Sequence, residues 1–163
     1  MGPAGATLIV VKEDILGKVT RQIPSMLDYK VHISKDSMFN TPPVFPIYVS
    51  MLTMEWLKEN GGISWIEELN NKKAGMVYDE IDRNPLFKGF VTQKEDRSMM
   101  NATFVLNDTA HADAFDKLWK DAGINGLNGH RSVGGYRASM YNALSMESVE
   151  TLVGVMQELE RKA

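Results

Sequence analysis

The densest group of residues that could do chemistry lies between Gly129 and Ser139. This segment holds one histidine and two arginines, His130, Arg131 and Arg137, with glycines among them. Guanidinium groups bind carboxylates and phosphates through paired hydrogen bonds, imidazole adds a donor, and glycines let a ligand approach the backbone. The segment therefore indicates a site for a small dianion or trianion. On residue types alone, a surface hairpin with solvated arginines explains the segment equally well.

A second candidate anion site is the pair Asn40 and Thr41, which precedes two prolines and a helical pattern. The N-terminus of a helix presents free N–H groups and the positive end of the helix dipole, and both favour phosphate. The side-chain amide and hydroxyl add further donors. On this motif alone, simple capping of the helix is the favoured interpretation.

Composition excludes several classes of protein. The 163 residues carry a net charge of −3, which argues against a nucleic-acid binder and against a polybasic membrane anchor. No apolar run approaches the roughly 18 residues that span a bilayer, and no signal peptide is visible. The absence of cysteine excludes Cys-ligated metals and thiol catalysis. His32 and His111 have no second metal-ligating residue at the spacing that metal sites use. We therefore predict no metal site. These features favour a cytoplasmic protein.

The elements that would position these groups follow from hydrophobic patterning. The apolar run Thr7–Val11 predicts a strand buried on both faces. Pro42-Pro43 opens a long helix whose two apolar stripes predict extensive burial, and Asn60-Gly61-Gly62 ends it. Ser64 is expected to cap a second helix that stops at Asn84-Pro85.

The rest of the chain alternates strands with helices. Helices are predicted after Asp108 or Thr109 and after Ser145, because both places combine a capping residue with an apolar stripe. Strands are predicted at Phe87–Thr92, Met100–Leu106, Ile124–Leu127 and Tyr136–Tyr141. This order favours a mostly antiparallel sheet with helices on one face. We expect a boundary between two lobes within or just after the second helix, near residues 64–85.

Several motifs, in order along the chain, resemble those of the phosphoserine aminotransferase family. The segment Gly129–Ala143 resembles the family's C-terminal signature, Met38–Pro43 its cofactor-phosphate loop, and Gly2–Gly5 the stretch just after its cofactor lysine. The segments Pro24–Tyr29 and Trp56–Gly62 fit as well. The resemblance therefore extends over essentially the whole chain.

This resemblance implies an α/β fold, the C-terminal portion of a fold type I pyridoxal-phosphate-dependent transferase. Residues 1–67 would be a remnant of the large cofactor-binding domain, with the phosphate loop and a connecting helix. Residues 68–163 would form a small C-terminal α+β domain. The family is a homodimeric transaminase that uses pyridoxal 5'-phosphate to convert glutamate and 3-phosphohydroxypyruvate to 2-oxoglutarate and O-phosphoserine in serine biosynthesis. In many bacteria it also serves vitamin B6 (pyridoxine) synthesis.

The resemblance also implies roles for single residues. Asn40 and Thr41 would bind the phosphate of the cofactor held by the other subunit. Arg137 would clamp the substrate α-carboxylate, and His130 and Arg131 would receive the substrate phosphate or the side-chain carboxylate of glutamate. The family's Schiff-base lysine stands before the Gly-Pro-Ala-Gly stretch, where this sequence has no lysine. We therefore expect the chain to be truncated, to lack the catalytic lysine, and to be inactive by itself.

Two other hypotheses remain open. One is a stand-alone α/β module that binds phosphorylated or dicarboxylic metabolites through His130, Arg131 and Arg137. The other is a purely structural fragment, partly unfolded over residues 1–45. Under every hypothesis we expect the small domain, about residues 68–163, to be the best-ordered part. We expect the Thr7–Val11 strand to offer an edge to another chain, giving oligomers or swapped dimers.

Overall fold

The computed structural model describes residues 2–163 and divides them into two compact units. The first unit ends at Asn60 and the second is Gly61–Ala163. This division precedes the lobe boundary expected near residues 64–85, so the long helix that follows Gly61 belongs wholly to the second unit. No helix within residues 2–163 has both the length and the apolar character needed to span a membrane.

The first unit is built from short turns and two helices. Helix α1 is Tyr29–Ile33, and Asp28 caps it by accepting a hydrogen bond from the backbone of Lys30 at 3.0 Å. Helix α2 is Val44–Glu59, and it ends before Asn60 as the sequence predicts. Single 3-10 turns form at Glu13–Ile15 and Ser25–Leu27.

The predicted strand at Thr7–Val11 is wrong, because this segment belongs to no strand of the structure. Leu8 and Val10 expose 75% and 91% of their surface. A strand needs a neighbour to pair its backbone N–H and C=O groups. The sheet of the described residues is formed by other segments of the chain, so this apolar run stays unpaired.

The predicted burial of α2 is also wrong, because none of its residues is buried. Both apolar stripes are open to solvent; for example, Phe45 is 71% exposed and Met54 49% exposed. A helix with two apolar stripes needs packing partners on two sides. The short turns and the five-residue α1 of the first unit cover little of that surface.

The second unit contains three helices and three strands. The predicted caps after residue 107 are confirmed, because Asp108 caps the 3-10 turn Thr109–His111 that leads into a helix, and Ser145 caps the last helix. The second helix begins at Gly62, two residues before the predicted cap Ser64. The elements in chain order are α3 (Gly62–Arg83), β1 (Phe87–Gly89), β2 (Asn101–Leu106), α4 (Ala112–Asp121), β3 (Tyr136–Ser139) and α5 (Met146–Lys162).

The three strands form one antiparallel sheet in the order β1-β2-β3. Phe104 of β2 lies opposite Gly89 of β1 and Tyr136 of β3. Alternate residues of β2 are buried, so one face of the sheet covers the core and the other is more open. The predicted antiparallel sheet with helices on its buried face is therefore confirmed.

The core lies between this face and helices α3, α4 and α5. Phe87, Phe104, Phe115 and Tyr136 form an aromatic cluster with ring-centre distances between 4.8 and 6.3 Å. Helices α3 and α5 close the core with buried aliphatic side chains. These side chains are Ala74, Val77, Ile81, Val149, Leu152, Val155, Met156 and Leu159.

The predicted strand Ile124–Leu127 does not form. Leu127 is buried, and its carbonyl accepts a hydrogen bond from Arg137 N at 2.7 Å. Asn128 makes a single antiparallel bridge to Tyr136. Positive φ angles at Gly123 and Gly126 break the extended conformation, so the segment follows β3 without becoming a fourth strand.

Candidate functional site

The glycine-framed segment folds into a closed loop between Asn128 and Tyr136. Gly129 N donates to the carbonyl of Gly135 at 2.8 Å and closes the loop. Inside it, Val133 N and Gly134 N both donate to the carbonyl of His130, at 2.9 and 2.8 Å. The loop that carries His130 and Arg131 is therefore held by its own backbone.

Two of the glycines are required by this geometry. Gly135 has φ of +63°, and a Cβ there would lie 2.7 Å from the carbonyl oxygen of Phe104. A Cβ on Gly129 would overlap the carbonyl of Gly134. Any side chain at either position forces the backbone to move.

His130 has a fixed hydrogen-bonding arrangement. Its Nδ1 accepts from the backbone N–H of Ser132 at 3.3 Å and lies 2.7 Å from the Ser132 hydroxyl. A nitrogen that accepts a hydrogen bond carries no proton, so the neutral ring is protonated on Nε2. The Nε2–H group makes no hydrogen bond to residues 2–163 and remains available to an acceptor.

Arg137 lies on β3, directly opposite Thr103 of β2, and its side chain is half-buried. Its Nε is buried and has no hydrogen-bond partner among the described residues. An unpaired buried donor on a charged group is costly, and native structures usually provide an acceptor for it. An anion bound at this guanidinium would supply that acceptor.

A cavity of about 60 Å³ brings His130 and Arg137 together. Thr103 and Val133 are among its other lining residues. This volume suits one carboxylate or phosphate group rather than a whole metabolite. Arg137 also lines a second cavity of about 550 Å³, bounded by the end of β3 and the start of α5.

Arg131 is not brought into this arrangement. It is exposed and lines neither of the two cavities that Arg137 lines. Sequence analysis missed two residues that complete the site, Ser132 and Thr103. The His-X-Ser spacing signals Ser132, whereas Thr103 needs the register of β2 against β3, which no local pattern gives.

Asn40 and Thr41 lie just before α2 but do not cap it. The N-cap is Pro43, and no side chain bonds the first turn. Asn40 Nδ2 donates to the carbonyl of Thr41 at 3.3 Å, and both residues are exposed. The capping interpretation is therefore wrong, because the two prolines move the start of the helix to Val44. The N–H groups of Val44 and Phe45 are left without a side-chain acceptor, as an anion-binding terminus requires.

Comparison with known proteins identifies relatives over nearly the whole chain. The family model described as aminotransferase class-V matches residues 1–152. The chain is 67% identical over 162 residues to a phosphoserine aminotransferase of Flavobacterium psychrophilum, and 54% identical over 164 aligned positions to one of Porphyromonas gingivalis. Each match covers 99% of this chain and 45% of the relative.

Solved structures agree with these matches. A phosphoserine aminotransferase studied for radiation damage of its Schiff base superposes with a TM-score of 0.92 and 42% identity over 99% of this chain and 45% of its own. The enzyme of Bacillus circulans subsp. alkalophilus gives a TM-score of 0.86 and 40% identity over 93% and 42% of the two chains. The resemblance and the fold class drawn from the motifs are confirmed. The chain spans less than half the length of these relatives.

Proposed function

Because the chain belongs to the aminotransferase class-V family, we propose that it supplies substrate-binding and cofactor-phosphate contacts of a phosphoserine aminotransferase. The proposed reaction of the whole protein moves an amino group from glutamate to 3-phosphohydroxypyruvate and gives 2-oxoglutarate and O-phosphoserine. One observation carries the proposal. The Arg137 guanidinium, with a buried and unpaired Nε, lines the same small cavity as His130.

Arg137 is proposed to bind the α-carboxylate of the substrate. A guanidinium pairs with a carboxylate through two parallel charge-assisted hydrogen bonds, which fixes orientation as well as affinity. His130 lines the small cavity beside Arg137, and its Nε2–H is proposed to meet a second anionic group outside that cavity, the substrate phosphate or the side-chain carboxylate of glutamate. We propose that Arg131 joins it there, since an exposed arginine is free to turn toward an incoming anion.

Asn40 and Thr41 are proposed to hold the phosphate of pyridoxal 5'-phosphate. The residues fit such a group, because the amide, the hydroxyl and the unbonded N–H groups of the first turn of α2 are all donors. The pyridine ring of the bound cofactor supplies the electron sink for the reaction. In this proposal the cofactor is held by the other subunit of a homodimer, so these donors complete a site across the subunit interface.

The resemblance also implies a domain division, a cellular location and biosynthetic roles for the whole protein, and we propose these as well. Residues 1–67 are proposed to belong to the large cofactor-binding domain and residues 68–163 to the small domain. The whole protein is proposed to work in the cytoplasm, in serine biosynthesis and in pyridoxine synthesis. Identity of 67% to a phosphoserine aminotransferase supports the serine role most directly.

The anion site can be tested on the chain by calorimetric titration with O-phosphoserine. Arg137→Gln is expected to weaken binding by at least about tenfold, since it removes the charge and the two-pronged contact. Arg161→Gln is the matched control, because Arg161 is an exposed arginine at the end of α5 that pairs with Glu158. Equal affinity in both variants would contradict the proposed role of Arg137.

The reaction can be tested in a chimera. The part of the Flavobacterium psychrophilum enzyme that precedes the matched region is joined to this chain, and transamination is measured. We expect the chimera to turn over, and the 163 residues assayed by themselves to give none, because none of their lysines stands in the motif of the cofactor lysine. Asn40→Ala with Thr41→Val in the chimera should weaken retention of pyridoxal phosphate. Turnover by the 163 residues alone contradicts the proposal.

The hypothesis of a metabolite-binding module has one observation in its favour. The buried core and both cavities lined by Arg137 lie within Gly61–Ala163. A binding module predicts that O-phosphoserine binds this unit with micromolar affinity and that an active chimera is not obtained. An active chimera that loses turnover with Arg137→Gln favours the transaminase instead.

A further inference from the structure

Lys73 is a buried lysine that the proposed function does not use. It lies on α3 with none of its surface exposed. Its Nζ donates to the backbone carbonyls of Tyr141, Asn142 and Leu144 at 2.9, 3.3 and 3.2 Å. An ammonium has three N–H donors, so these three carbonyls satisfy it completely.

This arrangement is unusual for a buried charge, because Lys73 forms no salt bridge with the carboxylates of residues 2–163. Burial disfavours the charged form and lowers the pKa of Lys73. An apolar side chain of similar length would fill the same space without that cost. We therefore explain the presence of a lysine at this buried position by the segment that its three hydrogen bonds hold in place.

Those hydrogen bonds hold the turn that connects β3 to α5. Leu144 N donates to the carbonyl of Tyr141 at 2.9 Å and closes the turn, which begins two residues after the end of β3. Asn70, nearly one helical turn before Lys73, donates from Nδ2 to Asn142 Oδ1 at 2.9 Å. Helix α3 thus contacts the turn at two points, through the ammonium of Lys73 and through the side-chain amide of Asn70.

The same turn lines the larger of the two cavities at Arg137. Tyr141 and Leu144, whose carbonyls Lys73 holds, both line the 550 Å³ cavity that Arg137 also lines. At the other side of the turn, Met140 N donates to the carbonyl of Met100 at 2.8 Å and continues the ladder of β2 and β3. The strand that carries Arg137 is therefore fixed by its neighbour strand along its length and by Lys73 where it ends.

We propose that Lys73 is a positioning residue for Arg137: its ammonium holds the turn of residues 141–144, which lines the larger cavity beside Arg137, and so fixes the end of the strand that carries this guanidinium. The proposal rests on the carboxylate-binding role proposed for Arg137. Lys73 itself does not touch the ligand. Its contribution is preorganisation, which raises affinity by removing alternative arrangements of the free protein.

The test compares three variants of the 163-residue chain. Lys73→Met keeps the length of the side chain and removes all three donors. Lys72→Met changes the neighbouring lysine, which is 62% exposed and pairs with Glu68 on the helix surface. Leu159→Ala opens a cavity in the core at the far end of α5 and serves as a control for simple loss of stability. Each is titrated with O-phosphoserine well below its melting temperature, and amide hydrogen exchange is measured in parallel.

We expect Lys73→Met to weaken O-phosphoserine binding on the order of tenfold, with faster exchange at the Leu144 amide, while β1 and β2 exchange as before. Lys72→Met and Leu159→Ala should keep the affinity of the parent chain. Unchanged affinity in Lys73→Met, or an equal loss in Leu159→Ala, overturns the proposal. If the parent chain binds no O-phosphoserine, this chain does not form the proposed carboxylate site at Arg137 by itself, and the chimera decides about the transaminase. Amide hydrogen exchange in Lys73→Met then tests whether Lys73 holds the turn of residues 141–144. Faster exchange confined to residues 140–144 supports this role, and unchanged exchange there overturns it.

Discussion

The phenol of Tyr136 donates a hydrogen bond to Asp116 Oδ1 at 3.0 Å, which ties β3 to α4 one residue before Arg137. The same oxygen accepts from Trp119 Nε1 at 3.1 Å. Burial, together with the hydrogen bond to the Asp116 carboxylate, raises the pKa of Tyr136. The phenol therefore stays protonated and remains a donor at neutral pH.

Removing this hydroxyl should destabilise the second unit. Tyr136→Phe leaves a partly buried carboxylate without one of its donors, and we expect it to lower the free energy of unfolding by about 1–2 kcal/mol. Tyr141→Phe is the matched control, because Tyr141 is 72% exposed. Urea unfolding of both variants measures the difference, and equal stabilities would show that the bond between Tyr136 and Asp116 contributes nothing.

Acid should weaken the contact between α3 and the loop after β1. Arg97 donates two hydrogen bonds to Asp82, at 2.9 and 2.7 Å. These bonds lower the pKa of Asp82 below its ordinary value of 3.8, despite the opposing effect of burial. Because the folded-state pKa lies below the unfolded one, the stabilisation is fully present above the unfolded pKa and is lost as pH falls through the lower folded value.

The corresponding experiment is urea unfolding at several pH values from 6 down to about 2. The parent chain should lose stability below about pH 4, and Asp82→Asn should lose less over the same range because it has no carboxylate to protonate. Asp79→Asn, an exposed change on the same helix, should follow the parent curve. Identical curves for Asp82→Asn and the parent chain would exclude a contribution from the pair of Asp82 and Arg97.

Alanine at two glycines should have opposite effects. Gly135→Ala places a Cβ 2.7 Å from the carbonyl oxygen of Phe104 at a φ of +63°, so we expect a loss of about 2 kcal/mol or more. Gly154 lies within α5, and a Cβ there meets no atom within 4 Å. Gly154→Ala should raise the free energy of unfolding by about 0.5–1 kcal/mol. Thermal melts measure both, and a stable Gly135→Ala would mean that the loop is not held as described.

The second unit should fold by itself. Every buried hydrophobic residue within residues 2–163 lies between Ile66 and Leu159, so the segment Gly61–Ala163 carries this core. We expect this segment to unfold cooperatively, with protected amides in β2 and α5. A molten state, with helical circular dichroism but no dispersed amide resonances, would contradict this expectation.

The sequence predicted the elements whose signals are local. The alternation along β2 and the cap at Ser145 depend on a few neighbouring residues, and both formed as predicted. Burial at Thr7–Val11 and along α2 depends on distant partners, and there the predictions were wrong. An apolar pattern shows which side chains of a segment are suited to burial. Whether they are buried depends on whether other parts of the fold pack against them.

The candidate site divides in the same way. Residue types were enough to single out His130 and Arg137, and the structure brings both to one cavity. Arg131 has the same chemistry but is exposed and does not line that cavity. Which of two nearby arginines faces a ligand is a property of the backbone path, which composition does not encode.

Lys72 and Lys73 are adjacent in sequence yet differ completely in accessibility, at 62% and 0% exposed. A lysine must be reachable and unprotonated to attack a carbonyl or an acylating reagent. Acylation followed by peptide mapping should therefore modify Lys72 and spare Lys73 for as long as the second unit stays folded. The buried amine cannot stand in for a cofactor-binding lysine, and its late modification would make it a built-in reporter of unfolding.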